Sequence, residues 1–130
     1  MIALDTNLIA RYLLKDDAAQ FERARAMIES AERITAPATV LLELAWVLEV
    51  SDCSRQDITR AFRLLVGLPN FTIRQLDSLL YALRWYEEGM DFGDALHLAM
   101  SAQDEALATF DRDFAKIAKR AGAFPEVRVA

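Results

Sequence analysis

The sequence has few of the features that mark specialised classes of protein. Its one cysteine, Cys53, cannot form an internal disulfide, so a reduced, cytoplasmic protein is expected. Four glycines and three prolines exclude collagen-like and low-complexity chains. The apolar run 44–48 is closed by Glu43 and Glu49, whereas a membrane span needs about 20 apolar residues. A secretory signal peptide begins with a cationic segment and an apolar stretch, and Asp5 lies where these should be. We therefore expect neither a membrane span nor a signal peptide.

Positive charges are outnumbered by negative ones. Fifteen Lys and Arg against 20 Asp and Glu give a net charge of −5, which argues against a protein that simply coats nucleic acid. Twelve of the 15 cations are arginine, whose guanidinium holds phosphate or carboxylate with two parallel hydrogen bonds. This bias fits an anionic partner, although surface arginines are also ordinary. With 54% hydrophobic and 27% charged residues, the 130-residue chain can bury a core, and we expect one domain over residues 1–130.

Short apolar stretches alternate with longer amphipathic ones along the whole chain. The predicted strands are residues 1–4, 34–36, 71–73 and 106–110, with an edge strand at 127–129, and the apolar run 1–4 is expected to be a buried strand. A first helix begins near Asp5, and the later helices are predicted over residues 18–32, 38–50, 58–66, 76–88, 95–102 and 111–120. This alternation predicts an α/β fold in which a short central parallel sheet is flanked by helices on both faces. In such folds ligands bind beyond the carboxyl ends of the strands.

Two acids, Asp5 and Asp111, follow predicted strands and therefore fall at that edge. Each also has a simpler interpretation as a helix N-cap, whose side chain accepts a free backbone N–H. Glu43 lies at the border of an apolar helix face, where a carboxylate needs an arginine or a metal unless it reaches water. Asp91 and Asp94 are spaced three apart, which is also the pattern of a cap followed by a first-turn acid. Asp113 can likewise be explained by its place at the start of the helix that follows the strand 106–110.

The acids are more informative as a set than one at a time. Carboxylates that meet at one sheet edge repel each other unless bound cations compensate them, and oxygen ligands suit Mg²⁺ or Mn²⁺. The net charge changes from −5 to 0 when five of them are removed, namely Asp5, Glu43, Asp94, Asp111 and Asp113. We therefore interpret the net negative charge of the chain as belonging to an active site, with the rest of the chain neutral overall.

Four segments of the sequence resemble the PIN domain family. They are Asp5-Thr6-Asn7 at the start, Glu43 on an apolar helix, the run 93–99 (GDALHLA), and the run 108–114 (ATFDRDF). Their order and spacing cover essentially the whole chain. Because the chain is short and carries no extra domain, it looks most like the VapC-type toxins of toxin–antitoxin pairs.

The resemblance implies a site, a cofactor and partners. Asp5, Glu43 and Asp94 match the three acids found almost throughout the family, Asp111 matches a fourth, and Asp113 matches a position that is often acidic. It implies an endoribonuclease that cleaves RNA with water activated by Mg²⁺ or Mn²⁺, forms a homodimer, and is silenced by a small antitoxin protein. The supporting residues that it implies are Thr6 and Asn7, and Asp91 is added from its place beside Asp94.

The remaining candidates are weaker, and alternative functions stay open. Arg11, Arg112 and Lys116 are expected to line the approach of RNA, although solvated helix faces explain them equally well. Three aromatic residues, Trp46, Trp85 and Tyr86, are interpreted mainly as dimer or antitoxin contacts, and His97 as a packed or hydrogen-bonded structural histidine. The alternatives are a housekeeping RNA-processing PIN nuclease and a non-catalytic PIN-like binding module. A phosphatase of the Asp-x-Asp type is excluded because Asn7 stands at its second acid.

Overall fold

The computed structural model describes all 130 residues and contains seven helices and four strands. The predicted α/β class with parallel strands is confirmed. The chain divides into two compact units, Met1–Arg74 and Gln75–Ala130. None of the helices has the length and apolarity needed to cross a membrane.

The first unit contains two strands and four helices. In chain order they are β1 (Ile2–Ala3), α1 (Thr6–Leu14), α2 (Ala18–Ser30), β2 (Ile34–Thr35), α3 (Ala38–Val50) and α4 (Arg55–Val66). Strands β1 and β2 pair in parallel, with Ile2 opposite Ile34. Helix α1 packs against α2 and α3, and α3 packs against α4. The core of this unit is built from apolar side chains on all four helices, including Ile9, Ile28, Leu44 and Phe62.

Two details of the predicted strands in this unit are wrong. The strand expected at residues 71–73 is a single parallel bridge between Phe71 and Ile34. It stops there because the Phe71 N–H bonds back to the Leu68 carbonyl in a turn, leaving one residue to pair. The first strand was expected to be buried, but Met1 and Ile2 are 68% and 45% exposed, and Leu4 is the residue that packs inside. The reason is that β1 lies at an edge, with β2 as its strand neighbour on one side.

The second unit contains three helices and two strands. They are α5 (Leu76–Glu87), α6 (Phe92–Met100), β3 (Ala106–Thr109), α7 (Arg112–Ala121) and β4 (Glu126–Val129). Strands β3 and β4 pair in parallel along their full length, helix α5 packs on α6, and α7 packs on β4. The strands of the whole chain thus form two parallel pairs, one in each unit.

Aromatic side chains fill the core of the second unit. Trp85 and Tyr86 are each 1% exposed, and the Tyr86 ring meets Phe92 edge to face with centroids 5.6 Å apart. The interpretation of Trp85 and Tyr86 as partner contacts is therefore wrong, because α5 turns both of them inward. Trp46 of the first unit is different, since 65% of its surface is exposed.

Candidate active site

The first acid of the candidate site, Asp5, lies directly after β1 and begins α1. Its Oδ1 accepts a hydrogen bond from the Leu8 N–H at 2.9 Å, which makes Asp5 the N-cap of the helix. The capping interpretation is therefore confirmed. The cap uses one carboxylate oxygen and leaves the exposed side chain able to bind a second group. Capping and ligand binding are thus compatible at this position.

Glu43 is brought to the same edge of the first unit by a hydrogen bond from α1 to α3. The Thr6 hydroxyl donates to Glu43 Oε1 at 3.2 Å, although the two residues are 37 positions apart. Because Thr6 follows Asp5 directly, this bond ties the start of α1 to the acid on α3. Glu43 is exposed and forms no ion pair with Lys or Arg, so its charge is not neutralised within the protein.

The second unit places three acids where their charges interact. Asp91 caps α6 by accepting the Asp94 N–H at 3.0 Å, and Asp94 lies half-buried in the first turn. Burial raises the pKa of the Asp94 carboxyl, the negative charges of Asp91 and Asp111 raise it further, and His97 opposes them. Asp111 therefore lies near Asp94 in electrostatic terms, although 17 residues separate them in sequence.

Asp111 itself is fixed from two sides. Its Oδ1 accepts the Phe114 N–H at 3.0 Å and caps α7, while its own N–H donates to the Thr109 hydroxyl at 3.0 Å at the end of β3. Asp113 follows in the first turn of α7 and is exposed. Within neither unit do three or more His, Cys, Asp or Glu side chains form a group that could hold a metal ion by themselves.

The donor set fits a hard divalent cation. All the candidate ligands are carboxylates, which Mg²⁺ and Mn²⁺ prefer, and none of them is neutralised by Lys or Arg. The pKa of Asp94 is raised mainly by burial and further by Asp91 and Asp111, so its ionised form is disfavoured within the protein. A bound cation would favour the ionised form.

The other reactive side chains do not form a competing site. His97 is exposed on α6, so its interpretation as a packed residue is wrong, because Leu96 and Leu98 turn inward and His97 turns to solvent. Burial, with Asp57 and Asp52, raises the pKa of the Cys53 thiol, which disfavours the nucleophilic thiolate.

A pocket between α1 and α2 adjoins Asp5. Its volume is about 310 Å³, and it is lined by Asp5, Asn7, Leu8, Arg11, Gln20, Arg23, Ala24 and Met27. Sequence reasoning selected Arg11 as a weak RNA contact and missed the residues from α2. Their spacing at positions 20, 23, 24 and 27 marks one helix face, but no local signal shows what that face meets. The other two weak candidates, Arg112 and Lys116, are exposed on α7.

Comparison with known protein families finds a match that agrees with these observations. The family model for the PIN domain matches residues 2–120, which is most of the chain and includes parts of both units. The chain belongs to the PIN domain family. PIN domains are typically nucleases, that is hydrolases that act on nucleic acid, and every candidate acid lies inside the matched range. No curated protein matches the chain.

Proposed function

We propose that this PIN domain is a metal-dependent endoribonuclease and the toxin of a type II toxin–antitoxin pair. The observation that carries the proposal is the complete set of five carboxylates, Asp5, Glu43, Asp94, Asp111 and Asp113, none of which is neutralised by Lys or Arg. For Asp94 the ionised form is disfavoured by burial and by the charges of Asp91 and Asp111, a cost that a bound cation would offset. A single domain over residues 1–130 is part of the same proposal.

The carboxylates have separate tasks in this proposal. Asp5, Glu43, Asp94 and Asp111 would hold Mg²⁺ or Mn²⁺, with Asp113 as a further ligand. When bound, such a cation would supply a water of lowered pKa and positive charge for the phosphate. Thr6 orients Glu43 through its hydroxyl, and Asp91 fixes the first turn of α6, on which Asp94 lies. Asn7 follows Thr6 on α1 and lines the pocket beside Asp5.

Cleavage of a labelled single-stranded RNA by the purified protein tests the proposal. We expect cleavage with Mg²⁺ or Mn²⁺, none with EDTA, and a loss of about 100-fold or more in Glu43→Gln and Asp94→Asn. Glu32→Gln and Asp104→Asn remove the same charge from exposed positions outside the candidate set and should cleave like the wild type. Cleavage in EDTA, or by Asp94→Asn at the wild-type rate, would contradict the mechanism.

The toxin role needs a partner that blocks the acids in the cell. We propose a small antitoxin that lays an amphipathic segment across α1 and α2 and extends an Arg or Lys toward Asp5 and Glu43, because a cation there forms charge-assisted hydrogen bonds and competes with the metal. Co-expression with the reading frame immediately upstream should abolish cleavage. Removal of the basic residues from its C-terminal part should restore it. Inhibition that survives this removal contradicts blocking by a cation, and the absence of any inhibitor favours a housekeeping RNA-processing nuclease.

A homodimer is the third part of the proposal. It is supported by Trp46 and Val50, which are 65% and 62% exposed and lie one turn apart on α3. A paired apolar surface of this kind is often covered by another protein. Light scattering should give a dimer for the wild type and a monomer for Trp46→Glu. A monomeric wild type at micromolar concentration would contradict it.

A further inference from the structure

The pocket between α1 and α2 is lined by two arginines, Arg11 and Arg23, and by one acid, Asp5. Arg11 is paired with Asp16, which lies outside the lining, so the positive charge without an acidic partner is that of Arg23. A guanidinium without an acidic partner attracts anions at that point.

The two arginines have hydrogen-bond donors that the protein does not satisfy. Arg11 Nη1 forms an ion pair with Asp16 Oδ2 at 3.0 Å, but its Nε–H is buried and has no partner. Arg23 is exposed and forms no ion pair. Its neighbour Arg25, on the same helix, pairs with both Glu22 and Glu29 at 2.7 Å. Arg23 is thus kept available on a helix whose other central arginine is neutralised.

The remaining lining residues complement an aromatic base with polar edges. Leu8, Ala24 and Met27 supply apolar contact, while the amides of Asn7 and Gln20 can donate and accept hydrogen bonds. The volume of about 310 Å³ is at the lower end of the range for small-molecule sites. Guanidinium groups for a phosphate and an apolar, amide-edged surface for a base together describe a site for one nucleotide.

The position of the pocket relates it to the acids. Asp5 lines one end, and Arg11 lies six residues further along α1, a distance of about 9 Å at the rise of a helix. A stacked strand advances about 3.4 Å for each nucleotide, so about three nucleotides span that distance.

We propose that this pocket binds one nucleotide of the RNA strand, about three nucleotides from the cleaved bond, with its phosphate on Arg11 and Arg23. The inference rests on the proposed nuclease function and adds a specific subsite to it. Because the pocket lies on α1 and α2, the bound RNA strand would run from Asp5 along these two helices.

Binding of RNA without a divalent cation tests the subsite separately from cleavage. The probe is a fluorescein-labelled single-stranded RNA of about ten nucleotides, measured by anisotropy in EDTA. Arg23→Ala is the main variant, since its exposed and unpaired side chain can be removed without disturbing the fold. We expect its affinity for the RNA to fall about tenfold, as for loss of a hydrogen bond to a charged group. The slope of log affinity against log salt should fall by about 0.7 for the lost phosphate contact.

Arg25→Ala is the matched control, because it removes the same charge from the same helix but outside the pocket. It should bind RNA like the wild type. The Nε–H resonance of Arg11 gives a second, direct measurement, and it should shift when the unlabelled RNA is added. Circular dichroism confirms that each variant is folded.

The outcomes distinguish the subsite from the function on which it rests. Equal affinity and equal salt slope in Arg23→Ala and Arg25→Ala overturn the subsite, even where cleavage is normal. If Arg23→Ala loses RNA affinity and Arg25→Ala does not, the subsite is supported. If the wild-type protein also never cleaves RNA, the subsite is still supported but the nuclease function is overturned. If Arg23→Ala weakens binding of the co-expressed antitoxin and leaves RNA binding unchanged, the pocket belongs to the protein partner and the proposal is wrong.

Discussion

At the scale of single residues, an aspartate at a helix N-terminus can serve two purposes because its carboxylate has two oxygens. Asp5, Asp91 and Asp111 each accept one backbone N–H at the start of a helix. The cap fixes the backbone and orients the carboxylate, so the second oxygen points in a direction set by the helix. A residue that stabilises the fold in this way is already positioned to bind a cation.

The two purposes of Asp5 can be separated by two substitutions. Asp5→Asn keeps a side-chain acceptor for the Leu8 N–H and removes a charge from the edge that also carries Glu43. We expect lost cleavage with an unchanged or higher melting temperature in metal-free buffer. Asp5→Ala removes the cap and should lower the free energy of unfolding by about 1 kcal/mol. Thermal unfolding with EDTA measures both, and a destabilised Asp5→Asn protein that still cleaves RNA would reduce Asp5 to a cap.

Asp94 makes the stability of the metal-free protein depend on pH in a defined direction. Its pKa in the folded state is raised above the ordinary value by burial and by Asp91 and Asp111. Ionisation therefore costs folding free energy, and the cost grows as the pH rises through the raised pKa. We expect Asp94→Asn to be more stable than the wild type in urea at pH 7 in EDTA. The difference should vanish near pH 3, where an ordinary Asp with a pKa of about 3.9 is protonated in both states.

The control for this prediction is Asp104→Asn, which should show no such pH-dependent gap. Saturating Mg²⁺ should reduce the advantage of Asp94→Asn, because the cation stabilises the ionised carboxylate of the wild type. A variant that is less stable than the wild type at pH 7 would show that the charge of Asp94 stabilises the fold.

At the scale of elements, the candidate acids depend on contacts between helices. The Thr6 hydroxyl on α1 donates to Glu43 on α3, and these helices pack against each other. The bond joins the acid on one helix to the first turn of another, which itself begins at Asp5. Hydrogen bonds of this kind orient a metal ligand through a residue that does not itself bind the metal. Their loss typically lowers metal affinity by about 10- to 100-fold.

Thr6→Val keeps the shape of this side chain and removes its hydroxyl. Because Glu43 then loses its donor, we expect Mn²⁺ affinity, measured by calorimetry, to fall by about 10-fold or more. Thr6→Ser retains the hydroxyl and should restore most of the affinity. The free energy of unfolding in EDTA should change by less than the metal affinity does, since Thr6 is partly exposed. Equal Mn²⁺ affinity in all three proteins would assign Thr6 a structural role only.

At the scale of the whole molecule, the single-domain proposal makes a prediction about cooperative unfolding of the two units. The family match extends from residue 2 to residue 120 and so includes both Met1–Arg74 and most of Gln75–Ala130. If the chain is one PIN domain, its two units unfold together, because a single domain of this size usually shows one transition.

The two tryptophans allow a direct test. Trp46→Phe removes an exposed side chain from the first unit and leaves Trp85, buried in the second unit, as the fluorescent reporter. We expect the urea midpoint from Trp85 fluorescence to coincide with the midpoint from far-ultraviolet circular dichroism, which reports helices in both units. Two separate midpoints would show that the units unfold independently and that the single-domain prediction is wrong.

Most helices and helix caps of this protein could be predicted from local patterns, because the signals for them lie within a few residues of each other. Helix α3 has the predicted bounds, Ala38–Val50, and α7 ends at Gly122, which adopts the left-handed conformation that glycine favours. The spacing of the acids and their neighbours also identified the PIN family. Caps, helix ends and motifs are short-range features, so no long-range contact was needed to find them.

Which side chains face outward, and which distant residues meet, depends on how the helices pack. Trp46 and Trp85 lie on similar apolar helices, yet one is exposed and the other is buried. Periodicity shows that a helix has an apolar face but not how much of that face its neighbours cover. Two features join segments that are distant in sequence. One is the hydrogen bond from Thr6 to Glu43, and the other is the pocket that Arg23 and Asp5 both line. Such contacts follow from the packing of helices around a shared core, which no local pattern of residues contains.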